Sequence, residues 1–309
     1  VLLTKQYALD RDGKPSKILL VSPILVADDV EARMFGASFG AKAAAVSKGF
    51  AREYHRVAML TGSAFLDAAE VTAGDGVLEI GAGAGVMTRA LADRGAKVLA
   101  IEIDQTLQPV LVEVLAGTDV RVEFADALKC DMAALTSDAF SGAPFDVVAN
   151  LPYYITADVF LRLVRSRLPI RRMTVMVQKE AAERIMAAPG QKSWCALSAT
   201  VQRFGAPSVR MRVPPEAFTP RPHVESVLLR VDMHPDRPDP EDEEMFLKVV
   251  TAAFAMRRKT LSNNLMSAFS MPREAAEALI TSLGFDPKVR GEALTIPELE
   301  QLSAASRNR

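Results

Sequence analysis

Gly76-Val77-Leu78-Glu79-Ile80-Gly81-Ala82-Gly83-Ala84-Gly85 is the stretch that decides the fold. Its first five residues predict a buried strand, and the glycines that follow predict a tight turn. The periodic segment Val86 to Arg94 predicts a helix. Glycines at such a junction let the chain turn sharply and bring backbone N–H groups close to a ligand at a helix N-terminus. The next predicted strand, Lys97-Val98-Leu99-Ala100-Ile101, ends on Glu102, which lies 21 residues past Gly81. That is the distance at which a carboxylate reaches ribose hydroxyls in a nucleotide-binding βαβ unit. Strand, glycine turn, helix, strand and terminal acid in register point to an adenosine-containing ligand. A dinucleotide fingerprint would place its third glycine at position 86, which holds valine. A nicotinamide dehydrogenase is therefore disfavoured, and no catalytic His or Lys constellation supports one.

Outward from this unit, Val120-Arg121-Val122-Glu123-Phe124 predicts a third strand, followed by Ala125-Asp126-Ala127-Leu128. Asp126 sits where a carboxylate accepts an adenine amino group, or alternatively caps a helix. A fourth strand, Asp146-Val147-Val148-Ala149, delivers Asn150-Leu151-Pro152-Tyr153. Four strand ends on one edge of a parallel sheet are where an open α/β fold holds its ligands. The last tetrapeptide has the parts needed to alkylate an exocyclic amine. The adenine N6 lone pair is delocalised into the ring, so the nitrogen reacts only when that pair is turned toward an electrophile. The Asn150 side-chain carbonyl and a neighbouring backbone carbonyl can each accept one amine hydrogen. Pro152 stiffens the turn, and Tyr153 offers a ring on which an extruded base can lie. A plain turn that ends a strand is the competing reading.

The order Glu79-x-Gly81-x-Gly83-x-Gly85 is similar to the S-adenosylmethionine (AdoMet) loop of class I methyltransferases. Farther along, Met176-Val177-Gln178-Lys179-Glu180 and the run Pro214 to Ser226, containing Pro215-Glu216-Ala217-Phe218, continue a familiar order. Ala253-Phe254-Ala255-Met256-Arg257-Arg258-Lys259-Thr260-Leu261 with Asn263-Asn264-Leu265 completes it. Together with Ile101-Glu102-Ile103-Asp104, Asp126-Ala127-Leu128 and Asn150 to Thr156, the chain resembles the ribosomal RNA adenine N6-dimethyltransferases. The resemblance is greatest to the KsgA (RsmA)-like branch that acts on the small subunit. It covers about Val71 to about Leu302.

The resemblance implies an α/β fold: a class I, Rossmann-like AdoMet-dependent methyltransferase sheet with a small C-terminal all-α domain. It implies AdoMet bound by Glu79, Gly81, Ala82, Gly83, Gly85, Glu102, Ile103, Asp126, Ala127 and Asn150. Within that set Glu102 would hold the ribose, Asp126 the adenine, and Gly81 to Gly85 the methionine end. It also implies catalysis by Asn150, Leu151, Pro152, Tyr153 and Phe218, with Tyr153 and Phe218 sandwiching the target base. The expected reaction is N6,N6-dimethylation of adjacent adenines near the 3′ end of small-subunit rRNA, within an assembly intermediate. Two alternatives stand beside it: an Erm-like large-subunit enzyme, and a non-catalytic assembly factor on the same fold. Two departures from the family pattern are visible. The family's Gly-Gln-(Asn/His)-Phe-Leu segment has no counterpart where it is expected, at Arg52-Glu53-Tyr54-His55, and Trp194-Cys195 replaces a tyrosine and a glycine.

A chain of 309 residues with 49% hydrophobic content suggests about two domains. The expected division is an atypical extension at 1–50, a methyltransferase domain at 51–234 and a helical RNA-substrate domain at 241–309. Between the last two, Pro235 to Pro240 reads as a proline-acid linker. Cys130 and Cys195 form no disulfide framework and point to a reducing cytoplasm. Scattered histidines give no metal site. The longest apolar run, Ile18 to Ala27, is broken by Ser22 and Pro23 and is too short to span a bilayer; neither a membrane partner nor a signal peptide is expected. A monomer is expected. The net charge is −1, yet Val159 to Val231 holds 13 Lys and Arg against 4 Glu. Arg162, Arg165, Arg167, Arg171, Arg172, Arg203, Arg210, Arg212 and Arg221 are the candidate phosphate contacts, which would give salt-dependent affinity with little base readout.

Overall fold

The computed structural model describes residues 2–3, 21–22, 65–151, 155–215 and 223–307. The expected positions Pro152, Tyr153 and Phe218, and the segment Arg52 to His55, lie outside them. Leu2–Leu3 and Val21–Ser22 form a short antiparallel pair. The glycine stretch and its neighbours form the expected open sheet. Its strands are β1 (Gly76–Ile80), β2 (Lys97–Glu102), β3 (Arg121–Phe124), β4 (Phe145–Asn150), β5 (Ile170–Gln178), β6 (Gly205–Val213) and β7 (Ser226–Met233). They run in the order β3-β2-β1-β4-β5-β7-β6.

The first five positions in that order are parallel. Ile80 pairs with Ile101 and with Ala149, Glu102 with Phe124, and Asn150 with Met176. Val77, Leu78 and Ile80 of β1 and Val147, Val148 and Ala149 of β4 are all buried. Consecutive apolar residues cover both faces, as a parallel sheet clad on both sides requires. Each Val, Leu or Ile among them contributes about 1.5–3 kcal/mol of burial energy. Helices α1 (Val86–Asp93), α2 (Gln108–Val114), α3 (Met132–Phe140) and α4 (Thr156–Arg165) are the crossovers. Leu91 of α1 and Leu111 of α2 enter one core with Val77 and Ala100.

Gly85 starts α1 from a left-handed conformation (φ +80°), and a Cβ there would lie 2.7 Å from Leu111 Cδ2. Only glycine satisfies both conditions.

Around the N-terminal ends of β1, β4 and β5 lies a charge network that local sequence does not reveal. Asp146, almost fully buried, accepts from Arg171 Nε (2.9 Å) and Arg172 Nε (3.0 Å). Arg171 continues to Asp75 (2.6 Å) and Arg172 to Glu70 (2.9 Å). Arg210 and Arg230 also pair with Glu70, at 2.6 and 2.7 Å. Burial would raise the Asp75 carboxyl, but the Arg171 guanidinium and the Thr72 amide and hydroxyl outweigh it and lower it to about 2. Burial pushes Asp146 above the ordinary carboxylate range, with Arg172 and Arg171 opposing.

The chain divides into two compact units, 1–179 with 208–231 and 180–207 with 232–309. The second is built from α5 (Lys179–Ile185), α6 (Ala196–Phe204), α7 (Pro240–Ala255), α8 (Leu261–Phe269), α9 (Arg273–Ser282) and α10 (Ile296–Arg307). It is not linear in sequence, because α5 and α6 join it from between two sheet strands. The proline-acid run also ends differently from its reading as a linker. Pro240 is the first residue of α7, and Glu241, Asp242 and Glu243 occupy its first turn. Proline lacks the N–H that a first turn leaves unpaired, and acids there oppose the helix dipole, so this is a helix start. Trp194, one of the family departures, is fully buried with its ring edge-on to Phe254 at 6.1 Å.

Candidate active site

The parallel register brings the C-terminal ends of β1, β2, β3 and β4 to one edge, and a cleft of about 280 Å³ opens there. Of the residues expected to bind or react, Gly81, Gly83, Glu102, Ile103, Asp126, Ala127, Asn150 and Leu151 line it. Ile80, Ile101, Asp104, Leu107, Ala125, Leu128, Ile155 and Val159 complete the wall. Ile155 lies within the motif quoted from Asn150 to Thr156, whereas Val159 is not among the expected site residues; its place in the first turn of the helix that follows is the signal available for it. Glu79, Ala82 and Gly85 stand behind the wall: Glu79 and Ala82 are fully buried.

Glu102 organises the first half of the site. Its Oε2 accepts the Gly83 N–H and its Oε1 the Asp104 N–H, both at 2.8 Å. One carboxylate thus ties the glycine turn to the end of β2, with lone pairs left over for hydroxyl donors. Gly81 donates to the Ile101 carbonyl (2.8 Å) from a φ of +85°, and a Cβ there would lie 3.3 Å from Leu151. Ile103, more than half exposed, presents an apolar surface at the rim. Asp126 Oδ1 accepts the Leu128 amide at 2.9 Å, and Lys129 Nζ lies 3.2 Å from Oδ2. The Leu128 amide first, then Lys129, hold this carboxyl below the ordinary range.

Asn150 ends β4, and its Nδ2 is buried with no hydrogen-bond partner among the described residues. Beside it on the same edge, Lys179 follows β5 and receives Glu225. The Lys179 amide donates to the Glu225 carbonyl (3.0 Å), and the side chains pair at 3.1 Å. The residues that lead from the run Pro214 to Ser226 into β7 are therefore anchored at the edge that carries Asn150.

A family model for ribosomal RNA adenine dimethylases matches residues 61–298. The chain belongs to that family. Among curated relatives of this adenine dimethylase are the proteins named ribosomal RNA small subunit methyltransferase A from Geobacillus thermodenitrificans and Bacillus mycoides. The first is 42% identical over 78% of this chain and 84% of its own. The second is 43% identical over the same shares. Among solved structures, a dimethyladenosine transferase from Plasmodium falciparum has a TM-score of 0.63 at 22% identity, covering 78% of this chain and 93% of its own. The 23S rRNA methyltransferase ErmE has a TM-score of 0.57 at 24% identity, covering 79% and 96%. These two likenesses bear on the fold, which is the class I methyltransferase sheet expected from the sequence with helices following it.

The methyl donor of such an enzyme is AdoMet, and the residues present fit it. Carboxylates stand at two strand ends of one apolar-walled cleft, a glycine turn leaves space where a Cβ would reach Leu151, and Asn150 carries an unpartnered buried amide. Among the described residues no acid, His or Cys cluster suits a metal, and no helix is long and apolar enough to cross a membrane.

Glu79 carries the largest electrostatic anomaly of the site. Both carboxylate oxygens are buried without a hydrogen-bond partner at normal distance among the described residues. Burial pushes the carboxyl up to about 8; the Thr88 hydroxyl opposes the push and the Glu102 charge adds to it. An acid raised in the folded state favours folding below its unfolded pKa and loses that advantage as pH rises toward the folded value. In the absence of ligand, Glu79→Gln should therefore gain stability relative to the wild type between pH 5 and pH 8. The gain is on the order of 3 kcal/mol. Urea unfolding at both pH values measures it; a stability difference that does not change with pH would show Glu79 to be ionised in the fold.

Proposed function

We propose that this chain transfers methyl groups from AdoMet to the N6 amines of adjacent adenines near the 3′ end of small-subunit rRNA, giving dimethyladenosine within an assembling particle. The observation that carries the reading is the placement of Asn150 in the same cleft as Glu102 and Asp126, at the same end of parallel strands. The names of relatives 42–43% identical supply the choice of subunit.

AdoMet supplies an electrophilic methyl on a sulfonium. The chain's own task is positioning and dipole alignment. Glu102 accepts the ribose hydroxyls and Asp126 the donor's adenine amine. The Asn150 carbonyl and the backbone at Pro152 accept the two hydrogens of the target amine, turning its lone pair out of the ring plane. An amide has no useful basicity and none is required, since the alkylated nitrogen becomes acidic and releases its proton to water. Tyr153 and Phe218 hold the extruded base between them.

Exposed Arg165 and Arg212 are available for phosphate contacts. Arg162, Arg171, Arg172, Arg203 and Arg210 are engaged within the protein, and Arg221 lies outside the described residues. The electrostatic grip on RNA is accordingly smaller than the arginine count suggests.

Methyl incorporation into precursor 30S and 50S particles tests the assignment. Labelling of 30S alone is the expected result, and labelling of 50S alone would reverse the choice of subunit. Phe218→Ala should lower turnover on RNA about 10- to 100-fold, the loss of one base-stacking contact, with AdoMet affinity unchanged. An unaltered rate would remove Phe218 from the stacking pair.

A further inference from the structure

The turn that joins β3 to α3 carries Asp126, Ala127 and Leu128 into the cleft wall, yet it has no regular secondary structure. Its internal bonds come from Asp126, whose carbonyl accepts the Lys129 and Cys130 amides at 2.9 Å and whose side chain accepts the Leu128 amide. The carbonyls of Leu128 and Cys130 both accept from one guanidinium, and that of Cys130 also takes the Met132 amide at 2.9 Å. Arg162 Nη1 donates to the Leu128 carbonyl (2.8 Å) and Nη2 to the Cys130 carbonyl (2.6 Å), across more than thirty residues of chain.

Arg162 belongs to α4, the helix entered directly after the Asn150 turn. Ile155 and Val159, seven and three residues before it, both line the cleft. That spacing puts the three side chains along one helix face. The face thus provides part of the wall on the Asn150 side, while its last member holds the Asp126 side in place.

We infer that Arg162 is a positioning residue for the adenine end of the donor, setting the Asp126–Cys130 turn against the helix that follows Asn150. The inference rests on the reading of Asp126 as the acceptor of the donor's adenine amine. Lysine does not replace it, because an ammonium is a point charge on a flexible stem and lacks the rigid fork that meets two acceptors at once. Loss of the fork lets the turn drift, and the hydrogen bond that reads the amino group weakens more than the apolar contacts around it.

Calorimetric binding of two ligands to the full chain tests this: S-adenosylhomocysteine, and S-inosylhomocysteine, in which the 6-amino group is an oxo group. The wild type should favour the adenosyl ligand by about tenfold or more, the worth of one well-made polar contact. Arg162→Met should lose about tenfold in affinity for the adenosyl ligand and little for the inosyl one, so that the preference falls to about twofold. Arg162→Lys should fall between them. A Met variant that weakens both ligands equally marks Arg162 as a general brace and overturns the inference, as does one that keeps the full preference while the wild type shows it. A wild type without preference overturns the Asp126 assignment, and the inference with it.

Discussion

Asn150→Ala should retain AdoMet affinity by calorimetry within about twofold and lose methyl transfer by about 10²–10³-fold in kcat, the range seen when one preorganised polar contact to a transition state is removed. The side chain ends β4 at the cleft edge, so its truncation removes a small part of the cofactor wall and the whole of one acceptor for the target amine. The deficit belongs in kcat because the Asn150 carbonyl interacts most strongly as the nitrogen pyramidalises, in the transition state and not in the bound ground state. A variant that loses donor affinity and turnover in equal measure would make Asn150 a cofactor ligand only.

The second large effect is expected at the other end of the same strands. Asp146→Ala should destabilise the fold by about 3 kcal/mol, since it leaves Arg171 and Arg172 without the buried carboxylate that holds both. The figure sits at the low end for a broken buried pair because Arg171 is 39% exposed and can rehydrate. Asp75 and Glu70 keep one contact to each arginine, which also limits the loss. The urea midpoint measures it, and the folded fraction should bind AdoMet as the wild type does. A shift smaller than about 0.5 kcal/mol, within the range of an ordinary surface change, would mean the network contributes little.

The parts of the molecule legible in its sequence are those governed by short-range rules. The apolar run of β1, the glycines at a strand–helix junction and the acid ending β2 follow from backbone sterics and a fixed βαβ length, and the structure places Glu102 on the Gly83 amide. The arginines were a different matter. Their chemistry suits phosphate, and nothing nearby in sequence contradicts that. Asp146 is 25 residues from Arg171, however, and Glu70 is 140 from Arg210, so pairing is decided by sheet order, which no local pattern encodes. Arg162 was misread for a related reason: its partners are backbone carbonyls, which every residue has. Proline and acids together read as a linker at 235–240, and residues 235–239 are without regular structure, but the last of the run, Pro240, opens α7, because the same composition also serves a helix start.

The charge network and the cleft occupy opposite termini of the same strands, and this separation has a consequence for how such a protein adapts. Substitutions among Glu70, Asp75, Asp146 and their arginines alter how much heat or acid the molecule withstands while leaving the chemistry of each surviving copy as it was. Lineages living at different temperatures can adjust that end without disturbing the one that handles RNA.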